Sequence, residues 1–144
     1  NLRNLLPDEA GIFICDYKDR EGLASAKRRD STELVKRKGG PLGIISLKEI
    51  VVTSPDINNY KMQLIKLPGI SNNKIDLFSF NSGPSIRLIS SDKPRIEKIV
   101  ILIRSLASTK KYLSSHKLLG KSSKNSIYMN SDSINGLLIE FVDK

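Results

Sequence analysis

Few residues in this chain could do chemistry alone. His116 is the only histidine and Cys15 the only cysteine. A multi-histidine metal site is therefore excluded, and a thiol–imidazole relay would need the fold to bring these two residues together. His116 falls near the end of a helical stretch, where an imidazole interacts favourably with the helix C-terminus, and that structural role is the expectation. Cys15 closes the apolar run from Gly11 and reads as a small buried side chain, not a reactive thiol. Asp16 and Asp19 flank Tyr17, a grouping that a carboxylate acid–base pair could use. Solvated loop aspartates are far commoner and are expected here. Gly39 and Gly40 lack the lysine and hydroxyl that complete a phosphate-binding loop, and no dinucleotide fingerprint is present.

The bulk properties narrow the setting. A chain of 144 residues, 39% hydrophobic and 27% charged, fits one soluble globular domain with a real core. Its longest apolar runs, such as Ile99 to Ile103, are strand-sized and too short to span a bilayer. A single cysteine forms no internal disulfide and leaves the redox compartment open. No signal peptide is visible and the chain starts at Asn1, so the native N-terminus and targeting stay open, with a cytoplasmic location expected. The formal charge of +9 is concentrated at Lys27-Arg28-Arg29, Lys36-Arg37-Lys38 and Lys110-Lys111, while aromatic residues make up only 6%. Without a nucleic-acid motif, this basicity reads as a solvated surface attractive to anions; a nucleic-acid partner is not expected, nor is a membrane.

The elements that must position any site are organised by an internal repeat. Leu47 to Val52 (LKEIVV) has the character of Ile96 to Ile101 (IEKIVI). Each is followed by a helical stretch, a glycine and strand-like segments, and the units close as Gly83 to Ile89 and Gly136 to Val142. Alternating apolar residues at both ends of each unit predict strands. The first helix is predicted to be capped by Ser54, with Pro55 at its first position and Asp56 facing the positive end of the dipole. Ile57, Tyr60, Leu64 and Leu67 then share a face, and Pro68-Gly69 ends the helix. Ser105 is the matching cap in the second unit; Leu106, Thr109 and Leu113 repeat the spacing, and Gly120 is placed at the stop. Ser122 to Asn125 and Asn130 to Ser133 read as turns.

Each unit thus reads strand, helix, then about three strands. One sheet with one helix cannot cover both of its faces, so the two units should pair, with helices outside and sheets curving around a shared cleft. Residues 1–44 stand outside the repeat. Gly11 to Tyr17 looks like a strand, Leu23 to Lys38 a polar segment with helical character, and Gly39 to Gly43 a turn or linker. This N-terminal piece is either an edge addition or the tail of a preceding domain.

Over about residues 45–143 the sequence resembles the vicinal oxygen chelate superfamily, which includes glyoxalases, extradiol dioxygenases, fosfomycin-modifying enzymes and bleomycin-resistance proteins. The carriers are the paired KEIVV and EKIVI strands, the helices after them and the closing strand Gly136 to Val142. Gly39 to Ile44, with Gly83 to Leu88 later, also looks like a bacterial glyoxalase-like subgroup in which this would be the C-terminal of two such domains. The resemblance implies an α+β fold of two paired βαβββ modules, about 45–92 and 94–144, forming a curved mixed sheet around a cleft.

Family enzymes place metal ligands, commonly histidine and glutamate, on the first and last strands of each module. By position, the resemblance assigns Glu49 and Lys98 on the first strands and Arg87 and Glu140 on the last. Alternation puts Glu49 with Leu47 and Val51, and Glu140 with Leu138 and Val142; Arg87 and Lys98 are implied to face the same cleft. A divalent metal wants neutral imidazole and carboxylate ligands, and two of these positions carry cations. No family metal and no cofactor are therefore expected. Two cations and two anions suggest a salt-bridge network, with Glu49–Lys98 and Arg87–Glu140 among the pairings, that either fixes the modules together or leaves Arg87 and Lys98 to bind a carboxylate or phosphate.

The functional expectation is a metal-independent glyoxalase-like domain that binds an unknown small, anionic molecule. A metal-dependent lyase or dioxygenase-type enzyme completed by a partner chain or missing domain, and a structural or dimerisation domain, are the alternatives. Homodimerisation or pairing with a preceding domain is compatible with either.

Overall fold

The computed structural model describes residues 19–144 apart from Pro68, Ser82 and Asn135. The strand expected over Gly11 to Tyr17, with Cys15 and Asp16, lies outside the described residues.

The first element is a long surface helix, α1 (Arg20–Lys36). Asp19, read from sequence as a loop carboxylate, is its N-cap and accepts from the Gly22 N–H at 2.7 Å, satisfying one of the donors that a helix start leaves free. The helix unwinds through left-handed residues at Lys38, Gly39 and Gly40 (φ 51°, 77° and 66°), and the Gly39 N–H returns to the Leu34 carbonyl at 2.9 Å. A Cβ on Gly39 would stand 2.1 Å from the Ile44 carbonyl oxygen, so only glycine satisfies both the dihedral and the space. Arg104 lies beside this turn and clasps it, its Nε donating to the Lys38 carbonyl at 3.2 Å.

The rest of the chain builds one curved, mixed, eight-stranded sheet. The first module runs β1 (Ile44–Ser54), α2 (Ile57–Leu64), β2 (Ile70–Lys74), β3 (Leu77–Phe80) and β4 (Ser85–Ser90). The second repeats it as β5 (Arg95–Ile103), α3 (Leu106–Ser115), β6 (Leu119–Ser122), β7 (Ile127–Met129) and β8 (Leu138–Val142). The strand order is β2-β3-β4-β1-β5-β8-β7-β6. In each module the first and last strands pair in parallel, β1 with β4 and β5 with β8. Parallel neighbours need a long crossover, which the helix and two hairpin strands supply. In the sheet the modules are joined by β1 and β5, which pair antiparallel along most of their length.

Both helices cover the same face of the sheet. Val52, Tyr60, Leu64, Phe78 and Leu88 form a buried cluster under α2, and Ile103, Leu113, Ile127 and Phe141 form its counterpart under α3. Ile50 borders the first cluster and Ile101 the second; Ile50 is opposite Ile99, which is two residues from Ile101 on β5, so strand alternation puts both clusters on one side.

Around α2 and α3, local details depart from the sequence expectation at three points. Ser54 is not the cap of α2: it still pairs with Ser90 at the end of β1, and its hydroxyl accepts from the Asp56 N–H at 3.1 Å. Asp56 caps instead, accepting from Asn59 N–H at 3.0 Å. The helix also ends before Leu67, because the Lys66 and Leu67 N–H groups turn to carbonyls three residues back, the tightened geometry of a helix end. Gly120 lies inside β6 and does not stop α3; Lys117 supplies the left-handed residue (φ 58°). Gly120 is small for another reason: a Cβ there would come within 2.9 Å of the Met129 carbonyl oxygen. Ser105 does cap α3, accepting from Ser108 N–H at 3.3 Å.

Candidate functional site

The face of the sheet opposite the helices carries an ordered line of charge. Arg87 on β4 and Lys98 on β5 both sit opposite Val51 of β1. One row along, Glu49 and Glu140 both sit opposite Val100 of β5. Directly opposed residues share a face, and residues two apart on a strand do too, so all four charged side chains project together. The two valines between them are only 1% and 6% exposed although, among the described residues, α2 and α3 both pack on the other side. The flanking charged side chains shield them with their aliphatic stems.

The four groups pair within modules, not between them. Arg87 grips Glu49 bidentately, Nε to Oε1 at 2.8 Å and Nη2 to Oε2 at 2.9 Å. Lys98 Nζ meets Glu140 Oε2 at 2.6 Å. The cross-module pairings Glu49–Lys98 and Arg87–Glu140, which the sequence offered among the alternatives, are not the ones formed. Parallel pairing of first and last strands places each module's two charges on neighbouring strands one row apart, within direct reach of each other. The alternation of Glu49 with Leu47 also fails. Leu47 pairs with Ile101 and Glu49 with Val100, adjacent residues on β5, so a register shift separates their faces. Glu140 and Leu138 keep their shared phase on β8.

The electrostatics follow this geometry. The Arg87 guanidinium is held further above its usual range chiefly by the hydrogen bonds it donates to Glu49, against a smaller cost of burial. For Lys98, burial opposes the charge, but the Glu140 hydrogen bond and attraction from Glu140, Tyr128 and Glu49 leave its ammonium raised. Burial also opposes the Glu140 carboxylate; hydrogen bonding to Lys98 and Tyr128 outweighs it and holds the group below the usual carboxylate range. Tyr128, directly opposite Glu140 on β7, is pushed up by burial and by the neighbouring carboxylate. Tyr128 was not singled out in the sequence. The signal available was its position between apolar Ile127 and Met129 in a short strand, which turns its ring to the helix-free face.

Other candidates resolve into structural roles. His116 is the C-cap of α3, its Nδ1 2.9 Å from the Tyr112 carbonyl and its ring 4.1 Å from that of Tyr112. An open depression of about 450 Å³ lies at the Lys98 end of the charge line, bordered by Arg95, Ile96, Glu97, Gly136, Leu137 and Leu138, the last of these opposite Lys98. No helix among the described residues is long and apolar enough to cross a membrane.

The α+β class is thus defined by two βαβββ modules joined through their first strands. No protein-family model matches the chain, and no curated protein matches it in sequence. Among solved structures, methylmalonyl-CoA epimerase from Mycobacterium tuberculosis matches with a TM-score of 0.53 at 15% identity, over 72% of this chain and 90% of that one. A second methylmalonyl-CoA epimerase structure matches with a TM-score of 0.50 at 9% identity, over 69% of this chain and 95% of that one. These are likenesses of fold alone, and the fold is glyoxalase-like.

The divalent metal implied by that fold does not fit the residues present. Each carboxylate at the four first- and last-strand positions is already closed on a side-chain cation. An incoming ion would have to displace Arg87 and Lys98 and then sit beside their charges. Among the described residues, no group of three or more histidine, cysteine or acidic side chains could hold an ion.

Proposed function

We propose that this glyoxalase-like domain works without the superfamily metal and binds a small, negatively charged molecule on its helix-free face. The observation that carries this reading is that the metal-ligand positions hold two closed ion pairs whose outermost cation, Arg87, keeps 41% of its side chain exposed. A permanent cation at the edge of a shared face between two modules is where such a fold can receive an anion. On this reading the site contributes a cation that holds an anion and not a metal Lewis acid.

The closure of both pairs also favours a second reading, in which they only fix the strand pairing and the domain is structural. The two differ in a measurement. On the binding reading the metal-free protein, checked by elemental analysis, shows dose-dependent amide shifts on β1 and β4 when titrated with small anions such as inorganic phosphate or carboxylates. An absence of any anion-dependent shift would leave the structural reading. A stoichiometric metal that is lost on Glu49→Ala, Glu140→Ala substitution would overturn both.

A further inference from the structure

Resting on that reading, we infer that Arg87 is a carboxylate-binding residue, and that the ligand is a monocarboxylate with an apolar body. A guanidinium has two edges that can each present a pair of parallel N–H groups. Glu49 takes the edge formed by Nε and Nη2, at 2.8 and 2.9 Å. The end edge, formed by Nη1 and the second N–H of Nη2, has no protein acceptor among the described residues. Because Glu49 fixes the plane of the guanidinium, the free edge is held in one orientation, and ordering it costs a ligand little. A planar carboxylate matches that edge in shape; an ammonium would offer a point charge without it.

The surroundings select the rest of the molecule. Arg87 is opposite Leu77 on β3 and Val51 on β1, and Ile89, two residues further along β4 on the same face, is 44% exposed. An apolar body beside the carboxylate would cover Ile89 and gain from its burial. Glu49 limits the charge that can be accepted. For a dianion both the attraction to Arg87 and the repulsion from Glu49 double, while the cost of desolvating the ligand rises more steeply with its charge, so with Arg87 already matched the second charge is not repaid. Lys98 is the poorer anchor: it is bracketed by Glu140 at 2.6 Å and by the field of Glu49, so its charge is already matched.

The test is an NMR titration of the isotopically labelled chain with sodium benzoate, inorganic phosphate and benzamide. Benzoate is expected to shift the amides of Ser85–Ser90 together with Leu77 and Val51, and benzamide to leave them unmoved. Arg87→Lys keeps the charge but loses the fork, and is expected to weaken benzoate binding by about tenfold. Ile89→Ser, at an exposed position, should weaken benzoate while leaving acetate unaffected, and its fold is checked by the unchanged remainder of the spectrum. Benzoate binding that survives Arg87→Lys in full overturns the inference. Phosphate binding on β1 and β4 with benzoate no tighter overturns the carboxylate assignment while the anion-binding function stands. Failure of both anions overturns the function itself.

Discussion

The two modules share a topology and a core design but carry their charges in reverse. In the first, the acid stands on the opening strand and the base on the closing strand, as Glu49–Arg87; in the second the order is Lys98–Glu140. The environments differ as well. Arg87 and Glu49 are 41% and 17% exposed, whereas Lys98 and Glu140 are 26% and 13% exposed and have Tyr128 alongside. The pair in the first module is open to solvent on its cationic side, while the pair in the second is enclosed. One scaffold therefore supports an accessible ion pair in one half and a sheltered one in the other. On the proposed reading, that difference suits the first half to binding and the second to stabilisation.

The comparison is broken or sharpened most strongly in the cores. Phe78→Ala and Phe141→Ala each empty one cluster, and each is expected to cost about 3–5 kcal/mol in urea unfolding. Near-equal losses would support equivalent modules; a loss below about 1 kcal/mol in one would show that its cluster is not a core. Next come the ion pairs. Glu140→Gln should destabilise by about 2 kcal/mol, since it leaves the sheltered Lys98 without its partner. Glu49→Gln should cost roughly 1 kcal/mol or less, because Arg87 can rehydrate. The pH dependence carries the same sign. A carboxyl whose folded pKa is lowered stabilises the protein above its unfolded value, about 4.3, and the gain is lost as pH falls through the lower folded value. The raised Lys98 contributes below its unfolded value, about 10.4, and loses that contribution as pH rises through the folded one. Glu140→Gln is thus expected to flatten the acid limb of stability below about pH 4.3, measured by thermal midpoint. The smallest effect is at the caps: Asp56→Ala and Ser105→Ala should each cost about 1 kcal/mol, in matching amounts.

Much of this architecture was legible because it is periodic. The paired LKEIVV and IEKIVI segments, two strand-opening signals of the same character, marked β1 and β5, and the apolar spacing from Tyr60 to Leu64 and from Thr109 to Leu113 marked the helices above them. What depends on pairing was not legible. Ser54 has the chemistry of a cap, but its bond to the neighbouring strand β4 decides its role, and no local rule carries that information. The irregular register around Lys48 likewise undoes a period-two count. The four charged positions came from a resemblance, and their partners needed the parallel closure of each module. A side chain cannot reveal from sequence which neighbouring strand will lie beside it.

That closure has a consequence for how such a chain can change over time. Each ion pair is complete inside one repeat, so a substitution at Glu49 is compensated at Arg87 alone, and one at Lys98 at Glu140 alone. Had the pairs crossed the β1–β5 junction, every change in one half would have demanded a matching change in the other. With the charges partnered internally, the two halves are free to drift apart, one ion pair opening to solvent while its twin stays sheltered.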